Sequence, residues 1–401
     1  MILENQQIIC FGFAEWDNPY KTNQHHVMQR FSAHNDVLFI ESLGLRQPAV
    51  QKKDILRMAR RVIKWLRGVR RDGERMHVFA PLVIPLHRFA LVRAFNRWFL
   101  SLQLRGVVRA LKFRRPILWS YVPNAVEYIG FFDEKISVYH CVDELSANPR
   151  IPRETVQDME RAFLKKVDVV FTTAQNLYES KKPFNPRTFY LPNVADFDHF
   201  HTAFEELLPD RAPQKNATIG FIGAISDYKL DFALLDYVAG RHPEWTFVLI
   251  GATGEGEKAA DLSMLTKHAN ITMPGGKPYQ ELPAYLRSFD VCLLPNRINE
   301  YTANMFPMKF FEYLAAGKPV VSTALSALKE FGAYCYLSSS HEEFEKNIIT
   351  ALRENTPALQ KARVDCARQY TWEKRLDDMS RIITETIAEK SRITGSAVHA
   401  G

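Results

Sequence analysis

Short apolar runs rich in β-branched and aromatic residues alternate with helical stretches along this chain. The alternation stops once and then begins again, and no other feature restricts the fold as much. The opening "QQIICFGFAEWDNPYKTNQHHVMQRFSAHNDVLFIES" reads as strand, polar loop, helix and second strand, a βαβ unit. Further strands are expected in "PILWSYVP", "ISVYHCVDE", "VDVVFTTA" and "TFYLPN", with a helix over 153–166. A polar, Pro-containing stretch, "EELLPDRAPQKNA", interrupts the rhythm and "TIGFIGAI" restarts it. The strands "TFVLIGA", "ITMPG", "VCLLP", "PVVST" and "CYLS" follow, with helices near 230–240, 280–288, 308–316, 342–353 and 372–390. Strands that alternate with helices build a parallel sheet covered on both faces. The expectation is an α/β chain of two doubly wound, Rossmann-like domains facing a cleft at the carboxyl ends of their strands. A length of 401 residues suits two such domains, placed at 1–195 and 196–375, with 376–401 forming a C-terminal helix and a flexible tail from Ser391.

The net charge of +7 hides an asymmetry: residues 45–115 hold 19 Lys or Arg against Asp54, Asp72 and Glu74, so the rest of the chain is net negative. In that basic segment Ile55, Met58, Val62, Trp65, Leu66 and Val69 recur at spacings of three and four, with Arg57, Arg60, Arg61, Lys64 and Arg67 among them. This pattern predicts a basic amphipathic helix able to lie in a membrane interface, its aromatics in the bilayer and its arginines against anionic headgroups. Phe89, Val92, Phe95, Trp98, Phe99 and Leu102 suggest a second such face, and packing on the sheet accounts for part of both. Nucleic acid is the other anionic partner that such charge could serve, but no binding module for it is recognisable, and none is expected as a partner. No apolar stretch reaches the roughly 18 residues of a spanning helix, and the start of the chain does not read as a signal peptide, so a cytosolic location is expected. The five cysteines have neither metal-ligand nor disulfide spacing and are expected to be reduced, mostly in the core.

The stretch "MKFFEYLAAGKPVVST", residues 308–323, puts Lys309 and Glu312 at the start of an otherwise apolar helix, with Pro307 expected just inside that start. A helix amino terminus carries free N–H groups and partial positive charge, which suits a phosphate, and Lys309 adds a full charge beside it. Glu312, one turn on, is suited to accept hydrogen bonds from sugar hydroxyls. The plain alternative is a surface ion pair at i, i+3. In the first half, "VYHCVDELS" ends a strand with His140, Asp143 and Glu144 at the mouth of the expected cleft, where a carboxylate or imidazole could deprotonate an attacking hydroxyl. Against this, Asp143 could cap the following helix, and His140 could simply pack in the strand. His25 and His26 open the helix after the first strand and are read as a solvated helix start.

"FIGAISDYKLDFALLDYVAGRHPEWTFVLIGA", "ITMPGGKPYQELPAYLRSFDVCLLP" and "MFPMKFFEYLAAGKPVVST" together have the order and spacing of a nucleotide-sugar domain. Over nearly all of 217–333 the chain resembles the GT-B-fold, group 1 type glycosyltransferases of bacterial polysaccharide synthesis. The likeness is weaker elsewhere in 1–45 and 116–390, and it does not cover the basic segment. The resemblance implies that Glu312 holds the donor ribose and that Lys309, next to Met308, lies near the diphosphate. It implies that Gly223 opens a loop against the donor and that Lys229 is the lysine which that loop supplies. Many retaining members have an arginine where this chain has Ala224, so only the lysine of that pattern is kept; they also have an acidic residue where this chain has Asn304, a departure that speaks for an inverting outcome. Tyr279, in "GGKPY", would stand beside the nucleobase, a turn without a ligand being the alternative. "SVYHCVDELS" resembles the segment that carries the catalytic aspartate in the membrane-associated glucuronosyltransferase of xanthan synthesis, which makes Asp143 the candidate base. Asp17, Asn18, His140 and Glu144 are the acceptor-side candidates, and the C-terminal helix is expected to return to the first domain.

The chain is therefore expected to move a sugar from a nucleotide-diphosphate donor, most simply a UDP-sugar, to a lipid-linked saccharide in bacterial surface polysaccharide synthesis. It would sit as a peripheral protein on the cytoplasmic face of the inner membrane, docked through its basic segment. No cofactor or metal is expected, because this fold uses helix dipoles and basic side chains to stabilise a leaving diphosphate. Two alternatives stand beside this reading: a nucleotide-sugar 2-epimerase of the same architecture, and a non-catalytic membrane-bound scaffold that has kept the fold.

Overall fold

A computed structural model describes residues 3–18, 21–42, 52–84, 90–148, 151–205, 216–254 and 261–398. The chain divides into two compact units, 1–191 with 376–401 and 192–375. The first unit holds β1 (Gln7–Phe11), β2 (Asp36–Ile40), β3 (Arg70–Arg71), β4 (Met76–Phe79), β5 (Ile117–Ser120), β6 (Ile136–Cys141), β7 (Val169–Thr172) and β8 (Thr188–Tyr190). They form one sheet in the order β3-β4-β2-β1-β5-β6-β7-β8, parallel except for the two-residue β3 at its edge. The second unit holds β9 (Thr218–Ile222), β10 (Thr246–Ile250), β11 (Ile271–Gly275), β12 (Val291–Leu294), β13 (Val320–Thr323) and β14 (Tyr336–Ser338), in the order β11-β10-β9-β12-β13-β14, all parallel. Beginning at β9, that order reads 3-2-1-4-5-6, and it reverses direction between β9 and β12; in the first unit the reversal lies between β1 and β5. In open α/β sheets ligands bind outside the carboxyl ends of strands at such a reversal.

Burial explains why these strands read as unbroken apolar runs. All residues of β5, β6, β7, β12 and β13 are buried, because helices cover both faces of each sheet. In the second unit one face packs on Phe306, Phe310, Phe311, Leu314 and Phe331, and the other on Phe232, Leu235, Trp245, Phe344 and Ile348.

The structure revises several expectations. The unit boundary falls at Leu191/Pro192 rather than 195/196, because Asn193 donates to the Phe306 carbonyl (2.9 Å) and Ala195 bridges to Thr371, which ties these residues to the second unit. Of the expected linker, "EELLPDRAPQKNA" at 205–217, residues 206–215 lie outside the described residues. The last helix runs from Trp372 to Val398, so the segment after Ser391 is not a loose tail. There the Ser391 hydroxyl donates to the Ile387 carbonyl (2.9 Å) and Lys390 pairs with Asp168 (2.8 Å). His25 and His26 are buried rather than solvated. The His25 ring accepts from Thr22 through Nδ1 (N–H, 3.1 Å), its Nε2 meets the Glu15 carbonyl (3.1 Å), and it packs against Trp16. Pro307 stands just before its helix, Lys309–Ala315, rather than inside it.

Both expected helices of the basic segment form, as Lys52–Leu66 and Ala90–Ala110, with β3 and β4 between them, strands that the sequence reading did not contain. The side chains of Ile55, Arg57 and Met58, and all of Phe89, lie outside the described residues. Arg61 and Lys64 turn inward instead of toward a headgroup layer. The Arg61 guanidinium donates to the carbonyls of Pro81 (3.2 Å) and Ser42, and Lys64 pairs with Glu15 (2.7 Å), Glu41 (3.2 Å) and Asp17 (3.4 Å). The carboxyl end of β2 leaves Glu41 buried, and that buried carboxylate draws in the cations. Trp65 packs on Phe99 and the core, whereas Arg60, Arg67, Val62, Ile63, Leu66, Leu91, Phe95, Trp98 and Leu102 are exposed.

Candidate active site

In the second unit three loops converge at the carboxyl ends of β9, β10 and β11. The Gly223 N–H donates to the Ile250 carbonyl (2.9 Å), and the Gly251 N–H to the Gly275 carbonyl (3.1 Å). A Cβ on residue 251 would lie 1.7 Å from the Gly223 carbonyl oxygen, so only glycine lets these two backbones approach. The loop after β9 then crosses to the strand beyond the reversal: Asp231 N–H donates to the Pro295 carbonyl (2.8 Å), and Arg297 N–H to the Lys229 carbonyl (2.8 Å). The Lys229 ammonium lies over the rings of Tyr228 and Tyr301, at 5.4 and 5.1 Å.

The helix Lys309–Ala315 faces this loop with an unusual composition. Six of its seven residues are buried, Glu312 among them at 1% exposure. A buried carboxylate needs a partner, and Lys309 supplies it at 2.7 Å. So the pair at i, i+3 is real, but it is drawn into the protein rather than laid on the surface. The next residue fixes the helix to the sheet: the Ile222 N–H donates to the Tyr313 hydroxyl at 2.8 Å, one residue before Gly223. Lys309 also lies 6.0 Å from the Phe200 ring, and Phe200 meets Tyr279 edge-on at 5.5 Å. Tyr279 stacks on His199 at 4.5 Å with the planes 13° apart, and its carbonyl meets His199 Nε2 at 3.0 Å. Gly223, Lys309, Glu312 and Tyr279 are thus linked through Tyr313 and Phe200, while Lys229 is held by different rings. Met308 occupies the cap position without a side-chain hydrogen bond, and Asn304 donates to the Glu300 carbonyl (2.8 Å).

In the first unit β6 delivers His140 to a fully buried place. Its ring stacks on Tyr121 (4.9 Å) and meets Trp119 and Phe171 edge-on, the packed-strand alternative. Asp143 follows, half-buried, with the Thr173 hydroxyl donating to the preceding carbonyl, Val142 (2.9 Å). The cap of the short 3-10 turn Leu145–Ala147 is Glu144 and not Asp143: its carboxylate accepts from the Ser146 N–H (3.4 Å) and also from the Ser146 hydroxyl (2.6 Å). Glu144 also pairs with Lys181 at 2.7 Å. Burial alone would raise its pKa, but the lysine and the serine outweigh burial and hold it below the usual carboxylate range. Asp17 is exposed and pairs with Arg70 (2.8 Å), and the Asn18 N–H donates to the Glu15 carbonyl (3.2 Å). Among the described residues no group of three His, Cys, Asp or Glu side chains is arranged to hold a metal ion.

Residues 216–354 match the family model described as glycosyl transferases group 1. They are a group 1 glycosyltransferase domain. A Bacillus subtilis (strain 168) protein, TuaH, provisionally named a teichuronic acid biosynthesis glycosyltransferase, is 27% identical over 246 residues, which is 57% of this chain. The chain spans 61% of that relative's length. Sucrose-phosphate synthase from Thermosynechococcus elongatus superposes with a TM-score of 0.70 at 14% identity, over 96% of this chain and all of that one. Anabaena HepE, solved with UDP-glucose, superposes with a TM-score of 0.67 at 14% identity over the same shares. At such identities the likeness shows the fold, and it is GT-B. Within the glycosyltransferase domain and just ahead of it, the sequence reading missed Tyr313 and His199. Tyr313 lay inside the quoted helix, one residue after Glu312, but its partner is a backbone N–H some ninety residues away. No local pattern marks His199.

Proposed function

We propose that this chain is a nucleotide-sugar-dependent glycosyltransferase of bacterial surface polysaccharide synthesis, with a UDP-sugar donor and a lipid-linked saccharide acceptor. The observation that carries it is the buried Glu312–Lys309 pair, tied by Tyr313 to the β9 exit inside a group 1 glycosyltransferase domain. A carboxylate so placed accepts ribose hydroxyls, and the ammonium beside it neutralises a diphosphate. The relative's name and the complex of HepE with UDP-glucose support the donor class and the pathway.

In the reaction the acceptor hydroxyl oxygen attacks the anomeric carbon, the bond from that carbon to the diphosphate oxygen breaks, and the diphosphate leaves with the electron pair. Asp143 takes the hydroxyl proton, and attack in a single displacement from the face opposite the diphosphate inverts the anomeric centre. Gly223, Lys229, Met308 and Tyr279 line the donor, and Asp17, Asn18, His140 and Glu144 support the acceptor side. No cofactor takes part. A peripheral place on the cytoplasmic face of the inner membrane is supported by the exposed Leu66, Leu91, Phe95 and Trp98 beside the exposed Arg60 and Arg67. No described helix is long and apolar enough to cross a membrane.

The test is transfer from a panel of nucleotide sugars to a membrane extract, comparing wild type with Glu312→Ala and Asp143→Asn. Donor affinity lost in the first variant and turnover lost in the second is the expected result. Absence of any nucleotide-sugar binding would sink the proposal.

A further inference from the structure

Beyond Asp143 lies a buried charge cluster in which Lys181 and Glu160 have no part in the reaction as proposed. Lys181, at the end of the helix Gln175–Lys181 and 5% exposed, pairs with two carboxylates, Glu144 and Glu160, each at 2.7 Å. Glu160 is itself buried and accepts from the Tyr139 hydroxyl at 2.7 Å. Burial works against a charged lysine here, but Cys141 together with the two carboxylates, Glu160 and Glu144, outweighs it and holds the ammonium above the ordinary lysine range. Apolar side chains of similar volume often stabilise a core as well as a buried ion triad does, so such a triad suggests a demand for geometry. Three consecutive residues leave β6 under restraint: Val142 through the Thr173 hydroxyl (2.9 Å), Glu144 through Lys181 and Ser146, and Asp143 between them.

We propose that Lys181, assisted by Thr173, is a positioning residue that fixes the β6 exit so that Asp143 is held in line with the acceptor hydroxyl. This rests on the reading of Asp143 as the base. The 2.7 Å pair with the buried Lys181 ammonium holds the Glu144 carboxylate in one direction, and the residue next to it in the chain is placed with it. Displacing a reacting group by about 1 Å can cost on the order of 100-fold in rate.

The experiment uses the full chain, with UDP-glucose, UDP-N-acetylglucosamine and UDP-glucuronic acid as donors and a membrane extract as acceptor. Wild type, Asp143→Asn, Lys181→Met, Glu160→Gln and Thr173→Val are compared for kcat, donor KM and Tm. Lys181→Met is expected to lower kcat roughly 10- to 100-fold with donor KM within about twofold. Glu160→Gln, which leaves the Lys181–Glu144 pair intact, is expected to lower Tm but keep kcat within about threefold. Equal kcat losses in Lys181→Met and Glu160→Gln, tracking Tm, would mean a merely structural triad and overturn the proposal. So would a folded Lys181→Met with wild-type kcat. Should Lys181→Met fail to fold, Thr173→Val carries the test, since it keeps the volume and removes one hydroxyl: a fall in kcat at constant KM supports the proposal and an unchanged kcat overturns it. Wild-type kcat in Asp143→Asn, or no transfer by wild type, removes the base assignment and the positioning role with it, and is distinct from failure of Lys181 alone.

Discussion

Glu312 shows how burial changes the meaning of a charged residue. On a surface helix the Lys309–Glu312 pair would contribute a few tenths of a kcal/mol, but here the carboxylate is almost fully enclosed and one lysine partners it. Hydrogen bonds to charged groups are worth about 1.5–3 kcal/mol, so Glu312→Ala is expected to weaken donor binding roughly 10- to 100-fold, read by calorimetric titration with UDP. Asp143→Asn should leave that affinity alone and lower kcat on the order of 100- to 10,000-fold. His25 makes a prediction about pH. Burial lowers its pKa from 6.5 to about 4, the Glu15 carbonyl only partly opposing this. The folded state therefore prefers the neutral ring, and between those two values the unfolded chain binds more protons. The stabilisation is fully present above pH 6.5 and is lost as pH falls toward 4. From pH 7 to pH 5 the loss is about 2 kcal/mol. Urea unfolding should therefore show a steeper loss in wild type than in His25→Gln; parallel losses would contradict the assignment.

At the scale of elements, the two helices of the basic segment divide their residues between two tasks. One face of Lys52–Leu66 sends Arg61 and Lys64 to carbonyls and to the Glu41 carboxylate, and the other leaves Val62, Ile63 and Leu66 in solvent beside Arg60 and Arg67. The neighbouring helix adds Leu91, Phe95, Trp98 and Leu102, with the Trp65 and Phe99 rings 6.3 Å apart across the join. Burying one large apolar side chain is worth about 1.5–3 kcal/mol. Leu66→Ala with Trp98→Ala should then reduce binding to vesicles containing phosphatidylglycerol at least about 10-fold, measured by sedimentation, with little change in Tm because both side chains are exposed. Unchanged vesicle binding would remove this face as the docking surface. Lys64→Ala should behave differently, costing stability, because it strips the buried Glu41 of a cation paired with it.

Across the whole molecule, an eight-stranded and a six-stranded sheet, each with one reversal of strand order, sit in two units with separate cores, and the residues proposed to bind the donor all belong to 192–375. A ligand that binds only the native state stabilises it by about 2.7 kcal/mol at 100 times its dissociation constant. UDP is therefore expected to slow hydrogen exchange most strongly at 222–229, 275–279 and 309–313; protection centred on 1–191 would place the nucleotide elsewhere. The sequence by itself determined the alternation of strands and helices, the restart of the pattern, the strand set of the second unit and the helix that carries Lys309 and Glu312. These are local: periods of two and 3.6 residues and runs of apolar side chains are written in neighbouring positions. The short strands β3 and β4 escaped notice because "RR" and "MHVF" sit in a basic context that hides their pairing. Only the tertiary structure decided that Arg61 and Lys64 face inward, that two tandem histidines are buried, that Glu144 caps a turn and meets Lys181, and that Tyr313 holds its helix to β9. Each of these depends on a partner or a desolvating wall brought from far along the chain, and burial, which sets the worth of a charge or a hydrogen bond, exists only once those distant segments have packed.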